Sequence, residues 1–419
     1  MIGLCDCNNF FVSCQRLFQP SLNGKPVAVL SGNDGCVIAR SNEVKALGIK
    51  MGVPLFQVKN IVESNNITLF SANHHLYADI SQRVMAVLRA YTPAIEIYSI
   101  DEAFIDFSQL NIETLKPRGE ALSKKVTQCT GIPVSIGIAP TKSLAKIACK
   151  LCKVYPKLNG CCVMYRPEDI EKVLKTIPIG DIWGIGRKSA KRLTDAGVQT
   201  AFQFTQLSES WVNQQLHLPG VRIWRELQGI PAIEFDPSHK PNQSISIGRS
   251  FAKDISSLDE LHAIIAKFSS SLAKKLRGQG SCVSQITISL ETNRHRANLP
   301  QHNVSDTVEF HTPTDSTLEI AKAASSSLHK LYKKGYGYKK AGIACNGLVP
   351  KEQVQASLFD IGDREKHRSL MQTIDKINSS YSQGGVRLAM ESDSALSSNQ
   401  RYISPCYTTK WGDLPKVKI

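Results

Sequence analysis

The chain has 419 residues, 42% hydrophobic and 21% charged, with 51 Lys and Arg against 36 Asp and Glu. At about 150 residues per domain, this length predicts about three ordinary folded domains and excludes a globally disordered chain. No run approaches the ~18 apolar residues of a membrane span, and the N-terminus lacks the basic flank of a secretory signal, so a cytoplasmic protein is expected. The net charge of +15 favours a polyanionic partner such as nucleic acid.

The twelve cysteines form no repeating framework, so they predict reduced thiols rather than a disulfide scaffold. Cys149 and Cys152 have the spacing of a zinc knuckle, but they fall within a helical pattern and no His flanks them. We expect them to be small buried hydrophobic residues rather than metal ligands.

Strand and helix patterns alternate in the first half of the chain. Ile2, Leu4 and Asp6 share one face of the opening strand, so an acid stands where an apolar strand ends. Asn33-Asp34-Gly35 predicts a tight hairpin turn, because these residues tolerate positive φ. The further strand patterns cover residues 26–30, 36–39, 95–107 and 134–138, and a short helix pattern covers 43–47.

A helix is predicted from about Thr141, with an apolar stripe that begins at Leu144 and recurs every three or four residues. Lysines at positions 142, 146, 150 and 153 form a second stripe on this helix. Such a stripe is either a solvated face or a row of cations that faces phosphates, and the pattern leaves both open.

The second half of the chain predicts two further modules. Residues 171–230 have an all-helical pattern, in which Gly184-Ile185-Gly186 separates two stretches as in a helix-hairpin-helix that binds phosphate through backbone N–H groups. Residues 231–244 are typical of a linker. The order β-α-β-β-α-β over residues 245–345 matches a split βαβ module. Beyond residue 346 little apolar periodicity remains, which predicts a loosely packed tail.

Three acids, Asp6, Asp101 and Glu102, stand at strand ends or turns of this basic protein. Phosphoryl transfer on a polyanion needs Mg²⁺, and two ions about 3.5–4 Å apart can stabilise the attacking and leaving oxygens together. Neighbouring side chains of a flat strand face opposite ways, so a site shared by Asp101 and Glu102 requires a turn or bulge. From the pattern alone, three unrelated surface acids remain an equal alternative.

Four motifs resemble those of the Y-family, or translesion, DNA polymerases. Residues 6–14 (DCNNFFVSC) and 98–104 (YSIDEAF) are similar to the two palm motifs of that family. Residues 45–52 (KALGIKMG) resemble its fingers, and residues 137–146 (GIAPTKSLAK) resemble its palm helix. The likeness covers nearly the whole chain, and residues 33–40 together with the tail most resemble the bacterial UmuC branch, the catalytic subunits of DNA polymerase V.

The resemblance implies an α+β right-hand polymerase with a ferredoxin-like palm, small fingers, a helical thumb that carries the helix-hairpin-helix, and a βαββαβ little finger. No block of residues remains for a proofreading exonuclease, so low fidelity is expected. The implied domains are the palm (1–19 and 78–170), fingers (20–77), thumb (171–232), linker (233–244), little finger (245–346) and C-terminal tail (347–419).

The resemblance also assigns the metal and sugar contacts. Asp6 and Asp101 would bridge two Mg²⁺ ions, and Glu102 would hold the catalytic ion. Cys7 would offer its backbone carbonyl to the ion that binds the nucleotide. Phe11 falls at the steric-gate position, where a planar ring blocks a 2′-hydroxyl and selects deoxynucleotides. The alternative for Phe11 is a core phenylalanine.

Further nucleotide contacts are implied for Phe10 and for Lys153, which stands where the family has a triphosphate-binding lysine. The chain departs from many relatives at two fingers positions, where Asn42 and Lys45 replace Tyr and Arg. Lys supplies a point charge without the bidentate fork of Arg, which leaves the triphosphate grip at these positions open. The DNA contacts implied are Gly184, Gly186, Arg187, Lys188 and Arg249.

Residues 355–360 (QASLFD) resemble the bacterial clamp-binding peptide, in which Gln355 and the pair Leu358-Phe359 fill a pocket on the sliding clamp. A chance Leu-Phe pair in an exposed tail is the alternative, since short motifs recur by chance. The other partners implied by the resemblance are primer–template DNA, a dNTP, a UmuD′-like accessory subunit and RecA.

These features together predict a template-directed, Mg²⁺-dependent DNA polymerase that copies damaged templates with low fidelity in an SOS-type response. A two-metal nuclease could use the same three acids, but it would have no use for Phe11 or Lys153. A non-catalytic DNA-binding module is a second alternative, and the intact acids argue against it.

Overall fold

The computed structural model of the protein describes residues 1–92, 94–238, 240–296, 298–355, 364–380, 385–391 and 399–415. The chain divides into two compact units, one made of residues 1–239 with 401–419 and the other of residues 240–400. Among the described residues, no helix has both the length and the apolar character needed to cross a membrane. Both units combine helices and strands, which confirms the predicted α+β class.

The first unit contains the elements predicted for palm, fingers and thumb. In chain order they are β1 (Ile2–Cys7), α1 (Phe10–Phe18), β2 (Val27–Leu30), β3 (Val37–Arg40), α2 (Asn42–Ala46), α3 (Leu55–Ser64), β4 (Thr68–Ser71), α4 (His74–Tyr91), β5 (Ile95–Ile97), β6 (Glu102–Asp106), α5 (Ile112–Thr130), β7 (Val134–Ala139), α6 (Lys142–Val154), β8 (Cys161–Val163), α7 (Pro167–Leu174), α8 (Arg187–Asp195), α9 (Ala201–Thr205) and α10 (Glu209–Leu227).

A five-stranded sheet in the order β5-β6-β1-β7-β8 forms the palm. β1 pairs antiparallel with both β6 and β7, so it is the central strand. Cys5 faces a core shared with α1, α4 and α5, whereas Leu4 and Phe104 face a second core built with α6 and the thumb helices. Ile2 packs against the same second core and Asp6 reaches α6, which confirms that Ile2, Leu4 and Asp6 share one face.

The fingers contain a separate three-stranded sheet in the order β3-β2-β4. The predicted hairpin joins β2 to β3, and Asp34 adopts a φ of 54°, the left-handed conformation that Asp tolerates in turns. The helices α2 and α3 pack on this sheet around Val44, Val58 and Val62. β4 pairs in parallel with β2 and lies at the edge of the sheet.

The second unit contains the predicted βαββαβ module followed by one further helix. The elements are β9 (Ile245–Ile255), α11 (Leu258–Gln279), β10 (Ser281–Thr292), β11 (Val304–Thr314), α12 (Thr317–Leu331), β12 (Tyr338–Pro350) and α13 (Arg364–Ser380). The strands form a sheet in the order β11-β10-β12-β9, and α11 and α12 pack together against it.

Three of the predicted domain boundaries do not coincide with the ends of helices or strands. The palm–fingers boundary at residue 77 falls inside α4, and the palm–thumb boundary at residue 170 falls inside α7. β12 continues to Pro350, past the predicted end of the little finger at residue 346, because it stays paired with β10. The composition of the chain does not show where a hydrogen-bonded helix or strand begins and ends.

The loosely packed tail predicted beyond residue 346 is wrong for the described residues. In the second unit, α13 buries Met371 to 2% exposure. Arg277 of α11 donates two hydrogen bonds to Asp375 of α13, at 2.6 and 2.8 Å. Residues 401–415 belong to the first unit, where Tyr407 is part of the palm core. A few anchoring side chains make these contacts, so no periodic apolar stripe announced them.

Candidate active site

Asp6 and Glu102 face each other on the central strands of the palm. They are directly paired in register between β1 and β6, and both reach lysines of α6. Asp101 lies in the turn before β6, where its carbonyl oxygen accepts a hydrogen bond from the Cys7 N–H at 2.9 Å. The turn that a shared site requires is therefore present, and the three acids meet at one end of β1.

Ser99 fixes this turn. Its Oγ donates to Asp101 Oδ1 at 2.6 Å and accepts from the N–H groups of Asp101 (3.2 Å) and Glu102 (3.0 Å). One hydroxyl thus holds both adjacent acids in place. Sequence reasoning gave Ser99 no role, although a Ser shortly before an Asp is typical of turns that side chains stabilise.

Every lysine in the stripe of α6 pairs with a carboxylate. Lys142 has a side chain only 3% exposed and holds the helix to β5. Lys146 and Lys153 instead neutralise two of the three acids. The pairs and their N–O distances are Lys142–Glu96 (2.6 Å), Lys146–Glu102 (2.8 Å), Lys150–Asp181 (2.7 Å) and Lys153–Asp6 (2.5 Å).

The electrostatics of the acids reflect this crowding. Burial raises the pKa of Asp6 to about 6, with Lys153 opposing the shift and the charges of Glu102 and Asp101 adding to it. Burial acts to lower the pKa of Lys153, but Asp6 and the neighbouring anions outweigh it, so this pKa is raised. Both shifts are those expected where carboxylates crowd together in a partly buried site.

The donor atoms at these acids suit a hard divalent cation, because Mg²⁺ prefers carboxylate and carbonyl oxygens. In the part of the chain that is described, however, no group of three or more His, Cys, Asp or Glu side chains is arranged to hold one ion. The ammonium groups of Lys153 and Lys146 lie against Asp6 and Glu102 instead. The residues present therefore fit a divalent ion that takes over the charge neutralisation these lysines provide.

A cleft of about 260 Å³ opens beside the acids toward the fingers. Its walls include Asp6, Cys7, Phe10, Phe11, Arg40, Lys45, Asp101 and Lys153. Burial lowers the pKa of Lys45, and the charges of Lys153 and Arg40 lower it further against the opposing charge of Asp6. Three cations thus converge on one space, and their mutual repulsion is what a bound polyphosphate would relieve.

Arg40 is the member of this cluster that sequence reasoning missed. It is the last residue of β3, and its Nη1 donates to the carbonyl oxygen of Ile49 at 2.5 Å. Its buried Nε has no hydrogen-bond partner among the described residues. The available signal was its position, directly before Ser41, whose Oγ caps the fingers helix α2.

The two fingers positions that depart from the family meet the start of α1. Lys45 Nζ donates to Asn9 Oδ1 at 2.5 Å and to Asn42 Oδ1 at 3.2 Å. Asn9 Nδ2 also donates to Asn42 Oδ1, at 3.1 Å. Asn9 has a φ of 48°, a left-handed conformation that Asn accepts more readily than most residues. Asn42 therefore orients Lys45 at the rim of the cleft.

Phe11 forms one wall of the cleft. Its half-buried ring stacks on Tyr77 of α4, with the ring centroids 4.2 Å apart and the planes at 12°. His74 meets the same ring edge-on at 6.0 Å. The side chain of Phe10 turns into the core and is 3% exposed, although the residue borders the cleft.

Trp183 links the thumb hairpin to the acids. Its Nε1 donates to Tyr98 Oη at 2.9 Å, and the two rings meet edge-on at 5.5 Å. Lys146 lies 4.6 Å from the centroid of the Tyr98 ring and 5.4 Å from that of Trp183 while it pairs with Glu102. One network therefore joins the hairpin, the turn before β6 and Glu102.

The predicted DNA contacts lie on exposed surfaces. Gly184 adopts a φ of 86°, which favours glycine, and Gly186 stands at the start of α8, where backbone N–H groups are free to meet a phosphate. Arg187 and Lys188 follow in the first turn of α8 and are exposed. In the second unit, Arg249 is exposed on β9.

The remaining sequence predictions fall outside this site. Gln355 is exposed, whereas Leu358 and Phe359 lie outside the described residues. Cys149 and Cys152 are buried in α6, as expected, and their thiols donate to the carbonyl oxygens of Ser135 and Ile136 at 3.3 Å.

Comparison with protein families assigns most of the chain. Residues 5–150 match the impB/mucB/samB family, and residues 242–358 match the C-terminal domain of that family. Residues 167–198 match the helix-hairpin-helix motif of the same family, which confirms the predicted hairpin. Residues 368–417 match a domain of unknown function.

Among solved structures, a chimera of the Y-family DNA polymerases Dbh and Dpo4 matches with a TM-score of 0.68 at 22% identity. The match covers 83% of this chain and 99% of the chimera. The fold is therefore that of the Y-family DNA polymerases, as the motifs predicted.

Full-length relatives define the family within that fold. Protein ImpB of Salmonella typhimurium is 37% identical over 426 aligned residues, which span 100% of both chains. Protein UmuC of Salmonella typhimurium strain LT2 is 35% identical, again over 100% of both chains. This chain belongs to the impB/mucB/samB family.

Proposed function

We propose that this protein is a template-directed DNA polymerase that performs error-prone translesion synthesis, without proofreading, in an SOS-type response to DNA damage. Its family and fold make it a DNA-directed DNA polymerase. One observation carries the finer assignment: Asp6 and Asp101 border a cleft that also holds three cations and the ring of Phe11, and Glu102 is paired in register with Asp6. That combination suits nucleotidyl transfer from a deoxynucleoside triphosphate.

The acids are the catalytic residues of this proposal. Divalent metal use is general in the family, and we propose two Mg²⁺ ions held by Asp6, Asp101, Glu102 and the carbonyl of Cys7. When bound, such ions supply Lewis-acid stabilisation of the primer 3′-oxygen and of the phosphate oxygens. Asp6 and Asp101 orient that assembly from β1 and from the Ser99-fixed turn.

The cations of the cleft would bind the triphosphate. Lys153 lies within reach of Asp6, so it can exchange a carboxylate for phosphate oxygens when the nucleotide enters. Lys45, oriented by Asn42, supplies a point charge. Arg40, which lines the same cleft, would supply the guanidinium that the fingers helix lacks at position 45. The departure from the family pattern would thus be compensated from the neighbouring strand.

Phe11 would be the steric gate. Because its ring is held flat against Tyr77, it presents a rigid wall to the sugar of the incoming nucleotide. A rigid ring rejects a 2′-hydroxyl by overlap, whereas a mobile side chain would yield.

DNA would be held by charge and by backbone donors. The +15 net charge provides affinity that does not depend on sequence. Gly184 and Gly186 would offer N–H groups to phosphates, with Arg187 and Lys188 beside them, and Arg249 would add a contact from the little finger. The further partners we propose are the sliding clamp, a UmuD′-like subunit and RecA, in the bacterial cytoplasm where the genome lies.

Replacing Asp101 with Asn tests the function. We expect Asp101→Asn to reduce nucleotide insertion by more than about 100-fold, a loss of about 2.7 kcal/mol in transition-state stabilisation, because the amide removes a metal-binding charge. Binding to primer–template DNA should stay within about twofold, because the positive charges that supply it are untouched. Primer extension with dNTPs and fluorescence anisotropy measure the two quantities.

Asp106→Asn is the matched control, since Asp106 lies at the far end of β6, the strand that follows Asp101, and its side chain accepts a local hydrogen bond from the Ser108 N–H. This control should keep parental insertion. Insertion by Asp101→Asn within tenfold of the parent would contradict the metal assignment. Primer shortening in the absence of dNTPs, lost in Asp101→Asn, would favour the nuclease alternative instead.

A further inference from the structure

The segment 401–415 is anchored in the first unit at three places, although it follows the whole of the second unit in the chain. The backbone N–H of Arg401 donates to Asp34 Oδ2 at 2.6 Å. Tyr402 pairs with Ser71 at the edge of β4, through an N–H to Oγ bond of 3.0 Å and a carbonyl that accepts from the Ser71 N–H at 2.9 Å. The last residue of this edge strand is thereby bonded to the segment.

The second anchor is the start of α4. The side chain of Asn73 caps this helix, since its Oδ1 accepts from the Leu76 N–H at 3.2 Å. Its Nδ2 donates in the other direction, to the carbonyl and Oγ of Ser404 and to the carbonyl of Pro405, at 3.1–3.3 Å. Asn73 and Ser404 are 4% and 5% exposed, so these bonds are formed away from water.

The third anchor is the end of α1. The ring of Tyr407 stacks on Phe18 with a centroid distance of 4.6 Å and an angle of 7°. Its hydroxyl accepts a hydrogen bond from Gln19 Nε2 at 2.8 Å. Asp413 closes the segment on itself by accepting from the Cys406 N–H at 2.9 Å. The segment therefore has a defined conformation and contacts both α1 and α4.

These two helices carry the two stacked rings of the cleft wall. Phe11 lies on α1 and Tyr77 on α4, and their 4.2 Å stacking depends on the spacing of the helices. Gln15 of α1 also donates to Tyr77 Oη at 3.0 Å. A change in the distance or tilt between α1 and α4 would move one ring relative to the other.

We propose that residues 401–415 support the wall of the nucleotide site formed by Phe11 and Tyr77, which selects the sugar, by fixing the distance and tilt between α1 and α4. Asn73, Ser404 and Tyr407 are positioning residues in this view, because they act on the nucleotide only through Phe11 and Tyr77. The inference rests on the proposed function of Phe11 as the steric gate. It also gives a role to part of the domain of unknown function that residues 368–417 match.

Insertion kinetics of the full chain test this inference. The quantity measured is discrimination, the ratio of kcat/KM for a deoxynucleotide to kcat/KM for the matching ribonucleotide on one primed template. Tyr407→Ala removes the ring from Phe18 and the acceptor from Gln19, so the end of α1 loses its anchor. We expect discrimination to fall about tenfold, with ribonucleotide insertion rising rather than deoxynucleotide insertion collapsing.

A second variant tests the same inference without creating a cavity in the core. Asn73→Asp keeps an acceptor for the Leu76 N–H but sets a carboxylate against the carbonyl oxygens of Ser404 and Pro405. We expect discrimination to fall in the same direction. Trp411→Ala is the matched control on the same segment, because Trp411 is 91% exposed, and it should keep the discrimination of the parent.

Two outcomes separate this inference from the function on which it rests. Unchanged discrimination in both Tyr407→Ala and Asn73→Asp, with Phe11→Ala shifted in the same assay, overturns the supporting role of residues 401–415 and leaves the gate intact. Unchanged discrimination in Phe11→Ala overturns the gate itself. If Tyr407→Ala fails to fold, as judged by circular dichroism, Asn73→Asp decides.

Discussion

Asp6 is the residue on which most of the site's electrostatics act. It is paired in register with Glu102, bound by Lys153 at 2.5 Å and influenced by the charge of Asp101. Burial is the main cause of its raised pKa, the charges of Glu102 and Asp101 add to the shift, and Lys153 opposes it. The nearby lysine therefore offsets only part of the negative charge that these three carboxylates bring together.

Phe11→Ala should raise ribonucleotide insertion far more than it lowers deoxynucleotide insertion. Removing the ring removes the overlap with a 2′-hydroxyl, and Tyr77 behind it is too distant to replace it. Insertion kinetics with matched dNTP and rNTP measure the effect, for which we expect a change in discrimination of at least about tenfold.

Phe10→Leu is the control for this change, because the Phe10 side chain faces the core and is 3% exposed. It should lower stability by about 1 kcal/mol and leave sugar discrimination as in the parent. An unchanged ratio in Phe11→Ala would show that Phe11 is a core residue only.

Arg40→Gln should weaken nucleotide binding. The substitution removes a guanidinium that lines the cleft with Lys45 and Lys153, while glutamine keeps a neutral donor on a shorter side chain. We expect KM for dNTP to rise about tenfold, since a charged hydrogen bond contributes about 1.5–3 kcal/mol. Steady-state insertion kinetics give KM and kcat separately.

Arg16→Gln serves as the control, because Arg16 lies outside the cleft lining and pairs with Glu43 at 3.0 Å. It should leave KM for dNTP unchanged. An equal rise of KM in both variants would mean that Arg40 acts through the stability of the fingers rather than on the nucleotide.

At the scale of elements, the position of α6 on the palm sheet sets the geometry of the acids. α6 carries Lys146 and Lys153, and it lies directly on β7, where Gly137 leaves room for it. A Cβ at Gly137 would come within 2.1 Å of the Cys149 N and 2.2 Å of the Ala145 O. The absence of a side chain therefore allows the helix to bring its lysines to the strand ends.

Gly137→Ala should displace α6 and lower both stability and insertion. Backbone atoms form the contact, so the helix must move rather than a side chain rotate, and we expect a loss of about 1–3 kcal/mol in the free energy of unfolding. Urea denaturation followed by circular dichroism measures the stability, and primer extension measures activity.

Gly32→Ala is the control in the same unit, because a Cβ there meets nothing within 4 Å. Its stability should match or slightly exceed that of the parent, since alanine restricts the unfolded chain. Parental stability in Gly137→Ala would show that α6 lies less tightly on β7 than the close approach indicates.

At the scale of the whole molecule, the chain leaves the first unit at residue 239 and returns to it at residue 401. The second unit is thus attached at both of its ends rather than at one. The predicted clamp-binding peptide, residues 355–360, begins five residues after Pro350, the last residue of β12. A peptide in this position would tether the second unit to a clamp.

Replacing Leu358 and Phe359 with Ala should remove stimulation by the sliding clamp on long or circular templates. Two large apolar side chains gain about 1.5–3 kcal/mol each on burial in a pocket, before the cost of ordering the peptide. Extension on short free DNA should stay close to that of the parent, because the active site is untouched. Primer extension with and without clamp, on circular and on short templates, measures the stimulation in the double variant and in the parent.

Leu414→Ala is the control, since Leu414 is an apolar side chain of the C-terminal segment that is 44% exposed. Clamp stimulation should persist in it. Stimulation that survives the loss of Leu358 and Phe359 would place the tether elsewhere and make the motif a chance match.

The local elements and the motif positions of this protein could be predicted directly from its amino-acid sequence. Apolar periodicity marked the strand at Ile2, the helix from Thr141 and the βαββαβ order of residues 245–345, because these patterns express the geometry of one element at a time. The resemblance of residues 98–104 placed two acids in one site, and the structure supplied the turn at Ser99 that this requires.

The contacts between distant side chains, in contrast, became known from the three-dimensional structure alone. Lys153 pairs with Asp6, and Trp183 with Tyr98 85 positions away, while Gln19 and Tyr407 bond across 388 positions. Such contacts depend on the path of the chain and on single residues that belong to no periodic pattern, so nothing local signals them. Arg40 and residues 401–415 received no role from the sequence for this reason, whereas the three acids and Phe11 were predicted because they sit in continuous motifs.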